Sequence, residues 1–127
     1  MKPVFSIGFG SSSRATPDDV LHLIRGCIAE LQPDSLLATL PTLATLDRCA
    51  TLGQQVAARL QLGLRLFSSE SLRHVPGTTT HSDVALRSVG SASVAEAAAL
   101  LSLGAEARLV LPKQTGRFCT CALAVRP

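Results

Sequence analysis

Residues 4–19 read Val4-Phe5-Ser6-Ile7-Gly8-Phe9-Gly10-Ser11-Ser12-Ser13-Arg14-Ala15-Thr16-Pro17-Asp18-Asp19. The apolar residues from Val4 to Phe9 predict a strand, and the glycine- and serine-rich run behind them predicts a tight polar loop. A helix follows. Thr16 suits its N-cap, Pro17 its first position, and Asp18 and Asp19 the positive end of its dipole. Val20, Ile24, Cys27, Ile28 and Leu31 then recur on one face until Pro33 stops the helix. A strand feeding a capped helix through a short loop is the building unit of an α/β fold.

The rest of the chain repeats that unit and then departs from it. Residues 36–46 contain the tandem echo Leu37-Ala38-Thr39-Leu40-Pro41 and Leu43-Ala44-Thr45-Leu46-Asp47, which predicts a second strand of ambiguous register. Pro41 cannot donate to a ladder, so this strand should lie mainly on one side of it. A second helix is predicted over residues 51–62, with Leu52, Val56 and Leu60 at helical spacing and Gly63 placed to end it. Residues 64–67 read as a third strand. The polar stretch 68–81 contains Pro76-Gly77 and three threonines, the composition of a loop. Two short helices follow at 83–89 and 94–103, capped by Ser82 and Ser93, and residues 108–111 and 118–125 form a final hairpin around residues 113–117. The order predicts a three-layer α/β fold with a mixed, mostly parallel sheet of about five strands, ending in a hairpin, its first three strands parallel.

The 127 residues are 46% hydrophobic and 17% charged, which suits one domain over residues 1–127 with a core that needs no disulfides. Aromatic residues make up only 3%, with no Tyr or Trp, and the net charge of +3 comes from singly scattered side chains. Neither stacking platforms nor basic clusters are offered, so no nucleic acid is expected as a partner. No apolar run reaches the length of a signal-peptide core or a bilayer span, so no membrane is expected and the protein is expected to be cytoplasmic. Ten of the twelve cations are Arg, whose guanidinium binds carboxylate or phosphate bidentately, and this keeps an anionic small molecule open.

Four cysteines, Cys27, Cys49, Cys119 and Cys121, are irregularly spaced in mostly apolar surroundings, the pattern of reduced thiols used as small hydrophobes. Cys119 and Cys121 would point to one face of a strand, but two thiolates do not complete a metal site, and His74 or His81 would have to join them from a different loop. No metal and no cofactor are expected.

Ligands of parallel sheets sit beyond the carboxyl ends of the strands, which points to residues 8–14, 45–48 and 68–70. Gly8-Phe9-Gly10 resembles a dinucleotide fingerprint, but Ser13 stands where the third glycine belongs and no Walker lysine follows, so a nucleotide is not supported. Two readings of the loop remain. Gly8, Gly10, Ser11, Ser12, Ser13 and Arg14 at a helix N-terminus form a carboxylate or phosphate cradle, or they form a serine-rich surface turn. Asp47 after the second strand and His81 at the end of the polar loop join the candidate ligand contacts. Lys113 is either an anion contact or a solvated turn residue. Glu96 is accounted for by the capping box Ser93-Val94-Ala95-Glu96, and the alanines behind it make a face that can pack very closely. His22 reads as a surface or half-buried helix residue. No Ser-His-Asp or Cys-His arrangement can be placed from the sequence, and catalytic residues stay unassigned.

Several segments together resemble the cobalamin biosynthesis family formed by the C-terminal domain of CbiG and its stand-alone relative CobE. They are Ile7-Gly8-Phe9-Gly10 with Arg14, residues 63–68 with Glu70-Ser71-Leu72, Ser82-Asp83-Val84, Val89-Gly90, the run Ser93-Val94-Ala95-Glu96-Ala97-Ala98-Ala99-Leu100, and Pro112-Lys113-Gln114. The longer members resemble a hydrolase that opens the ring A lactone of a cobalt-precorrin and releases acetaldehyde. The N-terminal part of those proteins has no counterpart in this sequence, and Thr45-Leu46-Asp47-Arg48 departs from the acidic, lysine-bearing stretch of the family. The resemblance implies a protein that binds or hands on a corrinoid or precorrin intermediate, with cobalt present only if that ligand carries it. It also leaves open a small hydrolase acting on such a lactone, or a non-catalytic module docking on another enzyme of the pathway.

Overall fold

The computed structural model describes residues 4–30, 42–73 and 94–126. In chain order the elements are β1 (Val4–Ser11), α1 (Pro17–Glu30), β2 (Thr42–Leu46), a 3-10 turn (Asp47–Cys49), α2 (Ala50–Leu60), β3 (Leu64–Phe67), α3 (Ser69–Arg73), α4 (Val94–Leu103), β4 (Arg108–Gly116) and β5 (Cys119–Arg126). They build one five-stranded sheet in the order β3-β2-β1-β5-β4. The first three strands are parallel, as expected, and β5 runs antiparallel to both β1 and β4.

Strand β1 divides the two faces of the sheet by size. Phe5, Ile7 and Phe9 point one way and Ser6, Gly8 and Gly10 the other, because successive residues of a strand alternate. Register extends the division into the neighbours: Phe9 stands beside Cys121, and Gly8 lies between Ala122 and Ala44. The large face is covered by α1, whose Val20, Leu21, Ile24 and Cys27 are buried, and by α2, whose Gly53 lies against Thr45. The small face carries α4. A Cβ placed on Gly8 would fall on the Ala95 carbonyl and within 2.6 Å of the Ala99 nitrogen, so here the helix backbone itself rests on the strand.

Helix α4 is buried almost all round, as a helix that is apolar on every side must be. Its last turn is closed by Gly104, which adopts a φ of +96° and returns its N–H to the Leu100 carbonyl at 3.0 Å. Two guanidiniums finish the cap. Arg65 of β3 donates to the Ser102 carbonyl at 2.8 Å, and Arg126 of β5 donates to the Leu103 carbonyl at 3.1 Å. Cations on these orphan carbonyls also answer the negative end of the helix dipole.

Thr16 caps α1 as read from the sequence, and the cap is reciprocal. The Asp19 N–H donates to Thr16 Oγ1 at 3.2 Å while the Thr16 N–H donates to Asp19 Oδ2 at 3.0 Å. β2 lies on the carboxyl side of Pro41. Helix α2 is ended at Gln61, whose φ of 58° places it in the left-handed region, rather than at Gly63, whose carbonyl instead accepts from Leu43 at 2.9 Å. α3 occupies part of the stretch read as loop. Ser68 starts it by accepting the Ser71 N–H on its hydroxyl at 3.1 Å.

The terminal hairpin is also tighter than its sequence suggested. β4 continues through residues 113–116, and the turn is only Arg117-Phe118, with Phe118 at a φ of 62°. Pro112 is tolerated inside β4 because that strand is the sheet edge and the register shifts on either side of Leu111. The expected helix at 83–89, and the caps assigned to Ser82 and Ser93, lie outside the described residues. Among the described residues no helix is long and apolar enough to cross a membrane.

The two faces make opposite demands on glycine. Gly8→Ala is expected to destabilise the protein by about 3 kcal/mol or more, since the new methyl meets backbone rather than a movable side chain. Gly26→Ala, on the open side of α1 with no atom within 4 Å of the new carbon, is expected to stabilise it by about 0.5–1 kcal/mol through helix propensity. Urea unfolding of both variants checks the pair.

Candidate functional site

At the carboxyl ends of β1 to β3 the chain leaves the sheet through residues 12–16, the 3-10 turn 47–49 and Ser68. Because β5 is antiparallel, Ser11 pairs with Cys119, and the Arg117-Phe118 turn arrives at the same end. One bond fastens the loop after β1 to the hairpin turn: the Ser12 N–H donates to the Phe118 carbonyl at 2.9 Å. The Ser12 hydroxyl is engaged locally, accepting the Arg14 N–H at 3.2 Å, which folds the loop back and presents Arg14 outward.

Two arginines and a phenylalanine cluster at the Arg117-Phe118 side of this rim. Phe118 is 39% exposed, high for a large apolar residue. The guanidinium carbon of Arg14 lies 5.9 Å from its ring centroid and that of Arg117 lies 5.5 Å from it. Both are within cation–π reach, so the ring holds two positive groups at its border while part of its surface remains open to solvent. Arg117 and Phe118 were not singled out from the sequence. The available signal was modest: one of only four Phe, following an Arg at a hairpin tip.

The sequence-derived candidates separate in space. Ser12, Ser13 and Arg14 are exposed at the rim and Asp47 is exposed one strand away at the end of β2. Ser11 is buried, with its hydroxyl 3.5 Å from the Cys49 sulfur. Gly8 and Gly10 are buried beneath α4, where the absence of a side chain is used for packing. Lys113 sits on the outer strand, two strands from β1 and so roughly 10 Å away across the sheet. Its N–H donates to Glu96 Oε2 at 2.9 Å. Glu96 itself is fully buried and ties the start of α4 to β4, a structural duty beyond the cap read from the sequence. His81 and His74 lie outside the described residues, and His22 is exposed on α1.

Beside the rim, a groove of about 620 Å³ runs between α1 and the end of the hairpin, lined among others by Asp19, His22, Cys27, Gln114 and Arg117. Arg117 borders both the groove and the Phe118 ring. Behind the groove the thiols are graded. Cys119 is pushed up to about 11, first by burial and then by the nearby Asp19 carboxylate and Cys27. Cys121 is held well above the ordinary thiol range by its hydrogen bond to Cys27 and by burial, whereas receiving that bond lowers Cys27. Among the described residues no three His, Cys, Asp or Glu side chains are grouped as metal ligands.

Comparison with known proteins gives a consistent picture. A family model described as cobalamin synthesis G C-terminus matches residues 5–124. The crystal structure of CobE, a protein from the cobalamin (vitamin B12) biosynthetic pathway, aligns over 100% of this chain and 93% of its own, with 28% identity and a TM-score of 0.81. The cobalamin biosynthesis protein chiG from Agrobacterium tumefaciens aligns over 97% of this chain and 98% of its own, with 27% identity and a TM-score of 0.69. A putative cobalamin biosynthesis protein G homolog from Sulfolobus solfataricus shares the fold at 21% identity and a TM-score of 0.73, the match spanning 98% of this chain and 37% of that one. No curated protein matches the sequence.

The thiol gradation fixes a pH dependence. Cys119 and Cys121 keep protons in the folded state that an unfolded chain gives up above its ordinary thiol value of about 8.5. The folded state therefore binds more protons there, and stability falls as pH rises from about 9 towards the 11 of Cys119. The lowered thiol, Cys27, contributes in the opposite sense. Thermal unfolding between pH 8 and 11 is expected to show a declining Tm, with a shallower decline in Cys119→Ala.

Proposed function

The chain belongs to the CbiG C-terminal family of cobalamin biosynthesis, and from that premise we propose that it binds a corrinoid or precorrin intermediate at the rim formed by residues 12–14, Asp47 and the Arg117-Phe118 turn. The observation that carries this reading is the exposed Phe118 ring bordered by Arg14 and Arg117. Corrinoid intermediates are flat macrocycles fringed by acetate and propionate carboxylates. A ring edge or face lies against Phe118, and the fringe carboxylates are taken by guanidiniums, which bind them in two-point fashion. The N–H groups of Ser12, Arg14, Ala15 and Thr16 are used within the protein, so the loop before α1 contributes its exposed Ser12, Ser13 and Arg14 side chains to the same side.

The rim does its work by binding. Its groups are cations, hydroxyls, one open aromatic and the Asp47 carboxylate, while the buried Glu96 carboxylate is committed to the Lys113 N–H. Carrying a reactive intermediate, with cobalt only where the macrocycle already holds it, is the corresponding role in the pathway.

A visible-absorption titration with cobyrinic acid, whose side chains are free carboxylates, tests the proposal. Saturable binding without conversion of the spectrum is expected. Arg14→Ala is expected to weaken it about tenfold to hundredfold, the equivalent of one charge-assisted contact of about 1.5–3 kcal/mol, with little change in Tm. Unchanged affinity in Arg14→Ala would remove the loop from the site. Spectral conversion with release of a two-carbon fragment would replace carriage with hydrolysis, and the absence of both binding and conversion would favour a docking module.

A further inference from the structure

Corrinoid binding at the rim makes no use of most of the groove between α1 and the hairpin. One wall of that groove is Asp19, His22, Leu23, Gly26, Cys27 and Glu30, positions three and four apart and hence a single stripe of the helix. The other wall is Gln114 to Arg117, four residues in a row. Side chains of a strand alternate between the two faces of a sheet, so a groove lying on one face would touch only every second residue. Contact with consecutive residues places this groove at the margin of β4. That strand is the outermost of the sheet, and among the described residues β5 is its only partner.

The margin is suited to a further strand. Every second residue of an antiparallel edge directs its N–H and C=O away from its partner, and such a row of unpaired groups is a template for pairing. Pro112 and the register shifts on either side of Leu111 spoil the earlier part of the edge, whereas residues 114–116 keep a continuous register with 119–121. Only this regular part and the turn after it line the groove. From Asp19 to Glu30 the helix wall runs about 16 Å along its axis, the reach of about five extended residues. Gly26 stands near the middle of that wall, exposed, and a Cβ there would meet no atom within 4 Å. A glycine inside a helix costs stability, and here it serves no internal contact; what it provides is width.

The two ends of the groove differ in charge. Glu30 closes α1 at the negative end of its dipole, with no basic residue in the last turn and no ion pair of its own among the described residues. Arg117 stands at the other end, beside the first turn of α1. Asp19 shares that end, but its carboxylate already accepts the Thr16 N–H. The groove therefore offers a free carboxylate to a cation at one end and a guanidinium to an anion at the other.

We propose that this groove takes an extended peptide segment of a partner protein as a sixth strand on β4, about five residues long, with a basic side chain at the Glu30 end and an acidic side chain or terminal carboxylate at the Arg117 end. Backbone pairing supplies the affinity, the two charged ends set the direction, and Gly26 leaves room for the side chains that face α1. Strand addition here does not depend on corrinoid binding, and no corrinoid enters the test.

The probes are two end-capped, fluorescein-labelled pentapeptides with Val-Thr-Val between their charged ends, one with Lys first and Glu last, the other reversed. Fluorescence polarisation with the full chain is expected to show saturable binding of one of them, lost in Gly26→Leu, whose new side chain fills the groove without lowering Tm. Glu30→Lys is expected to weaken that probe about threefold to tenfold, one exposed ion pair giving way to repulsion, and a probe with Glu in place of its Lys is expected to regain the affinity. N-methylation of alternate peptide amides is expected to abolish binding in one register and spare it in the other, which side-chain docking alone would not produce. Should Gly26→Leu not fold, the charge exchange and the N-methylated probes decide. No saturable binding of either peptide, equal binding by Gly26→Leu, or indifference to N-methylation in both registers would overturn the proposal. A dimer in sedimentation that Gly26→Leu disrupts would assign the groove to a second copy of the chain and overturn it equally.

Discussion

The contact between α4 and β1 at Gly8 constrains the rest of the structure. A helix backbone reaches a strand this closely only where the strand offers no side chain and the helix offers none larger than a methyl group. Both conditions hold where Gly8 meets Ala95 and Ala99, with Ala44 and Ala122 to either side, and one turn of α4 earlier Gly10 makes room for the Val94 side chain. Close packing of this kind forgoes the large buried area of a Leu-rich interface and relies on dense van der Waals contact. The opposite face, filled by Phe5, Ile7 and Phe9 against α1, supplies the bulky apolar burial that the small face lacks.

That contact also determines where the polar groups go. With Val94 near Gly10 and Ala99 near Gly8, α4 runs antiparallel to β1 and begins at the carboxyl ends of the parallel strands. Glu96 secures that beginning to β4, and Arg65 and Arg126 secure the other end to β3 and β5. These two arginines are used internally as helix caps. Arg14 and Arg117 are instead left at the rim, where both border the Phe118 ring. The arginine-rich cation set of the sequence thus serves two purposes, and the structure separates them.

Much of this was legible before the coordinates. The Thr16-Pro17-Asp18-Asp19 start of α1, the strand at 64–67 and the alanine-rich α4 all announce themselves through local chemistry that tertiary packing then respects. What could not be read depended on partners distant in sequence. Gly8 and Gly10 precede a serine loop and look like part of a ligand cradle, and only α4, more than 80 residues later, shows that they are packing surface. The sequence places the turn at residues 113–117, yet an edge strand with register shifts on both sides of Leu111 accommodates Pro112 and carries the turn to Arg117-Phe118. Phe118 was read as the first residue of a strand because its positive φ is set by the turn and leaves no trace in composition. For the same reason the most informative part of the rim was overlooked.

Backbone amide NMR during titration with cobyrinic acid tests the central claim most directly, since it locates the ligand as well as detecting it. The account predicts that the largest shifts fall on residues 12–14, Asp47, Arg48, Arg117 and Phe118, with Arg65 and Arg126 at the opposite end of α4 undisturbed. Shifts concentrated instead around Arg65, Arg126 and Gly104 would place the ligand at the wrong end of the sheet and contradict it.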